Sequence, residues 1–366
     1  LRQSSPPRAI RARLVRAAIF GCVVMRQELR ARPLERQRKE PYRRAMAHGA
    51  FPILFITATR IGDAVLSSGL IKRLLDEIPN ARFTIVAGKA AAPLFAETPQ
   101  LDRVIVMEKA RNGGHWFKLW REVRHRKWGL IVDLRGSAVS QFLRRERRAV
   151  FKRGSGPPVH KVIEAARLLK IEDEDAPAPY LFTSAATEAY ADELTAGKGP
   201  ILAIAPAANW VGKTWPAERF AQVAIQLLAG PMAGGRLMLV GGPDDGRAIS
   251  ALRSVIPRER TIDLAGKVEL LATYACLKRA RLFVGNDSGL MHMAAAAGAP
   301  TIGLFGPSDE RLYAPWGPHA KVVRGVRRLE EIREVDPDLS QALCHMMDLP
   351  VDWVTAAARD LLAQTA

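Results

Sequence analysis

The chain has 366 residues, 48% of them hydrophobic and 25% charged, which is enough for two domains with separate cores. The formal net charge is +18, but residues 1–50 alone hold thirteen Lys/Arg against three Glu, a net of +10 that leaves +8 for the rest. That excess suits an anionic ligand or an anionic membrane surface, no recognisable module recommends nucleic acid, and Cys22, Cys276 and Cys344 are too scattered for a disulfide framework or a metal knuckle, so a reducing cytoplasm is expected.

Residues 1–50 read as a basic, poorly structured extension. No apolar run reaches the ~18 residues that argue a membrane span. The best candidate, Ala17–Met25, follows arginines as a signal peptide would, but Arg26, Gln27 and Glu28 stand where a small-residue cleavage site is needed. Met46 stands just before the first clear strand and is the expected start; a targeting arm is the rival explanation.

From residue 51 strands and helices alternate, which predicts parallel sheets covered by helices, an α/β fold. Strand-like runs at Ile53–Ile56, Phe83–Val86, Val104–Met107 and Leu130–Asp133 are interleaved with helical periodicity over Val65–Ile78 and Trp116–Val123. The first loop, Thr59-Arg60-Ile61-Gly62-Asp63, has a single glycine and is no dinucleotide fingerprint. Asp63 reads either as a helix cap or as a carboxylate that takes a proton from a substrate hydroxyl. Asp173-Glu174-Asp175, beside Ala-Pro-Ala-Pro, reads as a solvated charge run rather than a metal motif, and no His/Cys cluster has zinc spacing.

A linker at 186–199, with helical Glu188–Leu194 and the break Gly197–Pro200, leads to a second alternating half. Its strands are Ile201–Ala205, Arg236–Val240, Thr261–Asp263, Arg281–Val284 and Thr301–Leu304; its helices are Phe220–Leu228, Ala248–Val255, Leu270–Leu277 and Leu290–Ala297. The loop after the first of these strands holds Asn209 and Gly212-Lys213-Thr214. No glycine stands five residues before Gly212, so a Walker NTPase is rejected. Lys213 can serve a phosphate as a point charge or be a solvated surface lysine. Asp244 and Asp245 either hold a ribose diol or form a plain turn. At Asn286-Asp287-Ser288-Gly289 a strand ends and a helix begins, so fixed N–H groups and the positive helix end can hold phosphate. His292, four residues after Ser288, falls on the same helix face. The plainer reading is that Asp287 or Ser288 caps an Ala-rich helix. Val351–Gln364, within 341–366, reads as an amphipathic terminal helix.

Five segments in order resemble glycosyltransferase family 9, the lipopolysaccharide heptosyltransferases. They are Arg60–Leu66, Gly129–Ser137, Lys213-Thr214-Trp215-Pro216, Asn286–His292 and Cys344-His345-Met346-Met347, and the resemblance spans about residues 52–364. It implies a GT-B fold: an acceptor-binding Rossmann-like domain at 51–185 facing a nucleotide-sugar-binding one at 200–340 across a cleft. It also implies an inverting, metal-independent transfer from a nucleotide sugar, usually ADP-heptose, to a lipid-linked glycan at the cytoplasmic face of the membrane. No cofactor is expected. By the same resemblance Asp63 is the general base, Lys213, Asp287, Ser288, Gly289 and His292 hold the donor, Asn209, Asp244 and Asp245 are nucleotide-side candidates, and Arg60, Gly62 and Arg135 lie toward the acceptor. A GT-B nucleotide-sugar epimerase and a non-catalytic binding protein are the alternatives.

Overall fold

The computed structural model describes residues 49–152, 154 and 157–366. The expectations for the extension, for Ala17–Met25 and for Met46 lie outside the described residues.

The first half contains β1 (Phe51–Ile56), α1 (Ile61–Glu77), β2 (Ala81–Gly88), β3 (Leu101–Met107), α2 (Gly114–Val123), β4 (Trp128–Asp133), β5 (Arg145–Val150) and α3 (Lys161–Leu168). Its five strands form one sheet in the order β3-β2-β1-β4-β5, every pair parallel. The central strands are buried on both faces and are therefore continuously apolar. Ile53, Leu54, Phe55 and Ile56 are fully buried, each worth about 1.5–3 kcal/mol against exposure. Strand β5, Arg-Glu-Arg-Arg-Ala-Val, breaks the apolar rule because it is an edge, where charged side chains discourage pairing with another chain.

Helix α4 (Ala185–Leu194) occupies most of the expected linker. It is no free tether. It packs on α7 (Leu270–Leu277), and Glu188 is gripped by Lys278 at 2.7 Å and Arg279 at 2.9 Å. Burial alone would raise the Glu188 pKa, but hydrogen bonds from Lys278, Thr183 and Arg279 outweigh it and pull the value down to about 2.

The second half continues with β6 (Ile201–Ala205), α5 (Ala217–Ala229), β7 (Arg236–Leu239), α6 (Gly246–Arg253) and β8 (Thr261–Asp263) ahead of α7. After it come β9 (Leu282–Asn286), α8 (Gly289–Ala296), β10 (Thr301–Phe305), α9 (Glu310–Tyr313), β11 (Ala320–Arg324), α10 (Leu329–Val335) and α11 (Val351–Gln364). Its six strands are also all parallel, ordered β11-β10-β9-β6-β7-β8. The terminal helix starts only at Val351, because Pro350 occupies the N-cap; residues 341–350 form loop and turn. It packs on α5 and so belongs to the second half.

Both sheets are doubly wound, and each reverses strand order at one point, β1/β4 in the first and β6/β9 in the second. A crevice opens at the carboxyl ends of the strands at such a point. One apolar core cluster runs through both halves, from Phe51 and Phe83 to Ile201 and Phe283, so the crevices are held in fixed register. Helices α1 and α8 pack against each other at the seam.

Candidate active site between the two sheets

A cleft of about 950 Å³ lies where the two switch points meet. Arg60, Gly62 and Asp63 line it from the first half. Asn209, Lys213, Asp245, Asp287, Ser288, Gly289 and His292 line it from the second. The two helix N-termini come into contact there. A Cβ on Gly289 would stand 2.6 Å from Ile61 Cγ2, and one on Gly62 would stand 3.0 Å from His292 Cδ2. Only glycine at both positions lets the two positive helix ends approach this closely.

The capping alternatives for Asp63 and for Asp287 or Ser288 fail on geometry. The N-cap of α1 is Arg60, no side chain caps its N–H groups, and Asp63 stands inside the first turn. Ser288 does occupy the N-cap of α8, yet its hydroxyl makes no cap bond and is buried without a partner. Asp287 is spent elsewhere. Its Oδ2 receives the Lys213 ammonium at 3.1 Å and the Ser308 hydroxyl at 2.6 Å, while its Oδ1 lies 3.8 Å from His292 Nε2.

Asp63 is half-buried, and its carboxylate takes no hydrogen bond among the described residues. Burial raises its pKa above the ordinary carboxylate value, and Asp287 adds to this; Arg60, Lys161 and Lys213 pull the other way without reversing the shift. His292 is buried, which drives its pKa down to about 4, against a smaller opposing pull from Asp287. The imidazole is therefore neutral near pH 7, and its Nδ1 is buried without a partner. Two orphaned polar atoms, Ser288 Oγ and His292 Nδ1, thus flank a lysine and two helix ends. Buried polar atoms left unpaired in this way call for a ligand or water.

The loop carrying Lys213 is built from both sides. Asn286, at the end of β9, accepts from Trp215 N at 3.1 Å and donates to the Pro206 carbonyl at 2.7 Å, tying the K-T-W-P segment to the strand beside it. Trp215 is fully buried and donates to Leu349 O. From the C-terminal side, His345 N donates to Gly212 O at 3.0 Å and Cys344 Sγ to Thr214 O at 3.2 Å. His345 in turn is paired with buried Asp336 at 3.1 Å.

Other expected site residues fall differently. Asp245 lines the cleft, but its Oδ2 accepts Gly242 N at 2.7 Å, so part of its capacity holds the turn. Asp244 is exposed and outside the lining. Arg135 is also outside it; its guanidinium lies 5.0 Å from the Trp116 ring centre. The Gly129–Ser137 segment is most of β4 and the turn after it, in which buried Asp133 accepts from Arg135 N, Ser137 N and Ser137 Oγ. Asp173 pairs with Arg167 on the surface, and its segment does not line the cleft.

Sequence reasoning missed Tyr313, Ser308 and the His160–Lys161 pair. Tyr313 lines the cleft from α9, and Ser308 follows β10. His160 accepts Val162 N at Nδ1 and contacts Ala314 O at 2.9 Å through Nε2, linking the halves. Burial pushes the His160 pKa down. Of these only Ser308, a polar residue at a strand end, carried a signal in the sequence; the others are brought in by tertiary packing.

Two all-parallel, doubly wound domains that share one cleft define a GT-B architecture. The family model for glycosyltransferase family 9 (heptosyltransferase) matches residues 116–339, and the chain belongs to that family. It is a glycosyltransferase, which sets the epimerase and non-catalytic alternatives aside. Lipooligosaccharide heptosyltransferase 2 of Haemophilus influenzae is 26% identical over 323 residues, covering 78% of this chain and 92% of that protein. Among solved structures, a family 9 glycosyltransferase from Veillonella parvula superimposes with a TM-score of 0.71 at 19% identity, covering 87% of this chain and 98% of the other. The ADP-heptose lipopolysaccharide heptosyltransferase II of Escherichia coli gives 0.67 at 22% identity, covering 86% and 99%.

Proposed function

We propose that the chain transfers a heptose from ADP-heptose to a hydroxyl of a lipid-linked lipopolysaccharide-core glycan, with inversion and without a metal ion. The observation that carries this reading is the meeting, in one cleft, of a carboxylate from the first half that takes no hydrogen bond among the described residues and a lysine and helix N-terminus from the second. Asp63 accepts the proton as the acceptor oxygen attacks the anomeric carbon; the bond from that carbon to the diphosphate oxygen breaks, and the nucleoside diphosphate leaves. A single displacement inverts the centre. A base works best when its pKa lies near the working pH, and the upward shift at Asp63 is in that direction.

The departing diphosphate gains charge. Lys213, the Ser288 hydroxyl, His292 and the N-termini of α1 and α8 supply fixed positive potential and donors. Before the donor arrives, Asp287 holds the Lys213 ammonium in place at 3.1 Å. The relatives named for heptose transfer and the fold they share support heptose as the sugar.

The test is a thermal-shift screen against ADP-, UDP- and GDP-linked sugars, followed by turnover of the stabilising donor in EDTA. ADP-heptose should raise the melting temperature most, since a ligand bound only to the native state stabilises it. Turnover should survive the chelator. A clear preference for a UDP- or GDP-sugar contradicts the donor assignment. Activity lost in EDTA and restored by Mg²⁺ or Mn²⁺ contradicts the metal-free mechanism.

A further inference from the structure

One wall of the cleft has no task in the reaction proposed above. The lining follows the strand order of the second sheet. Asp245 and Val268 follow β7 and β8, Asp287 and Ser288 stand at the end of β9, and Tyr313 comes from the segment after β10, on the far side of β9. A nucleotide lying over the ends of β7 and β8, with its diphosphate at the end of β9, points its sugar toward β10. Tyr313 therefore stands at the transfer end of the cleft.

Tyr313 belongs to the second half but sits among groups of the first. The Lys161 ammonium lies 5.9 Å from the centre of its ring. Its ring packs on the core cluster that runs through both halves, while its hydroxyl takes no hydrogen bond among the described residues. Burial raises its pKa, and the charge of Asp63 adds to this, so the hydroxyl stays protonated. Asp63 acts on it more strongly than Asp287 does, which sets it on the base's side of the transfer point. A half-buried ring with a free hydroxyl suits a sugar: the apolar ring can take a C–H face, and the O–H can meet a sugar oxygen.

The first half also holds this segment in place. His160, the N-cap of α3, accepts Val162 N at Nδ1 at 3.3 Å, so the ring proton lies on Nε2. That nitrogen donates at 2.9 Å to the carbonyl of Ala314, the residue after Tyr313, and the His160 ring lies 4.7 Å from the Trp316 ring. We propose that Tyr313 is a residue of the acceptor site, its hydroxyl bonded to the acceptor sugar beside Asp63 and its ring against that sugar's apolar face. The donor half thus completes the acceptor site, and His160 is the residue that positions it. Tyr313 makes and breaks no covalent bond; its role rests on the glycosyl transfer proposed above.

Calorimetry on the full chain tests this, with two titrations: a delipidated core oligosaccharide in saturating ADP, and ADP-heptose alone. The parent is compared with Tyr313→Phe, Tyr313→Leu and His160→Ala. Tyr313→Phe should bind the oligosaccharide roughly fivefold more weakly, the effect of one lost hydrogen bond. Tyr313→Leu should bind it more weakly still, because the ring goes as well. His160→Ala should move in the same direction, and the oligosaccharide KM in turnover should rise in step. ADP-heptose affinity should stay at the parent level in all three, as should the melting temperature of the Tyr313 variants. If His160→Ala lowers the melting temperature, the Tyr313 variants alone decide. Unchanged oligosaccharide binding in both Tyr313 variants overturns the proposal, and so does an equal loss of ADP-heptose affinity, which would put Tyr313 on the donor. A parent that binds the oligosaccharide but transfers no heptose refutes the transfer reading, while the binding data still decide the place of Tyr313. A parent that binds no oligosaccharide overturns both.

Discussion

A carboxylate that takes a proton from a sugar hydroxyl must be free of other partners and basic enough to hold that proton. Asp63 meets the first condition, with no hydrogen bond among the described residues, and burial moves it toward the second. Arg60 and Lys161 oppose that shift, Arg60 more strongly. Removing Arg60 takes away a charge that favours the ionised form, so the Asp63 pKa should rise further. The rate follows the ionised form: kcat should fall as pH drops through this pKa. In Arg60→Gln the acid limb of kcat against pH should therefore move upward from its wild-type position. A limb that stays put or moves down detaches it from Asp63. His292 plays a different part. Kept neutral by burial, with a pKa of about 4, it would, in the proposed reaction, offer the donor a hydrogen-bonding nitrogen rather than a charge.

At the scale of elements, the motifs divide into those that touch the cleft and those that hold the ones that do. Asn286 and Trp215 belong to the second kind, as do Asp133 and Ser137. Asp336 and His345 form a buried pair that backs the loop bearing Lys213. His345→Ala removes a partner of the buried Asp336 carboxylate, which keeps its bonds from Ser340 N and Gln341 N. The cost should be about 1–3 kcal/mol, with a lower melting temperature and a raised KM for the donor, because residue 345, whose backbone N–H still meets Gly212 O, is no longer anchored to Asp336. A normal melting temperature and donor KM would show that the pair does not support the loop.

The alternation of strand and helix was legible wherever a strand is buried on both faces, as in β6, or a helix has a clear apolar stripe, as in α5. It was not legible at β5, where an edge position replaces apolar residues by Arg and Glu, nor at β11, Ala-Lys-Val-Val-Arg, the other kind of solvent-facing edge. Helix α3 was also missed; only Val162, Ala165 and Ala166 of its eight residues are buried, too short a stripe to read without its partner α1. Lys213 and the Asp287–His292 segment stood out because strand ends and helix starts leave a local signature. Tyr313 and His160 left none, since the packing of one half on the other brings Tyr313 to the cleft and His160 to the Ala314 carbonyl. The Asp133 turn shows the converse, a motif whose residues serve the backbone rather than the ligand.

At the scale of the molecule, two sheets of the same winding present their switch points to one another, and the core runs through both. In the proposed reaction this arrangement lets each half bring what the other lacks: a base from α1, and a diphosphate site from α8 with the Lys213 loop. The glycine contact between Gly62 and Gly289 sets how near the two helix ends come. The central claim is that binding and proton transfer are divided between the halves. Asp63→Asn separates them, since it removes the base while leaving the second half's donor contacts intact. Donor affinity by calorimetry and kcat on a soluble acceptor should be measured side by side on this variant. The account predicts a donor Kd close to the parent's and a kcat reduced by roughly 10²-fold or more. A kcat near the parent's, with donor binding unchanged, would contradict it.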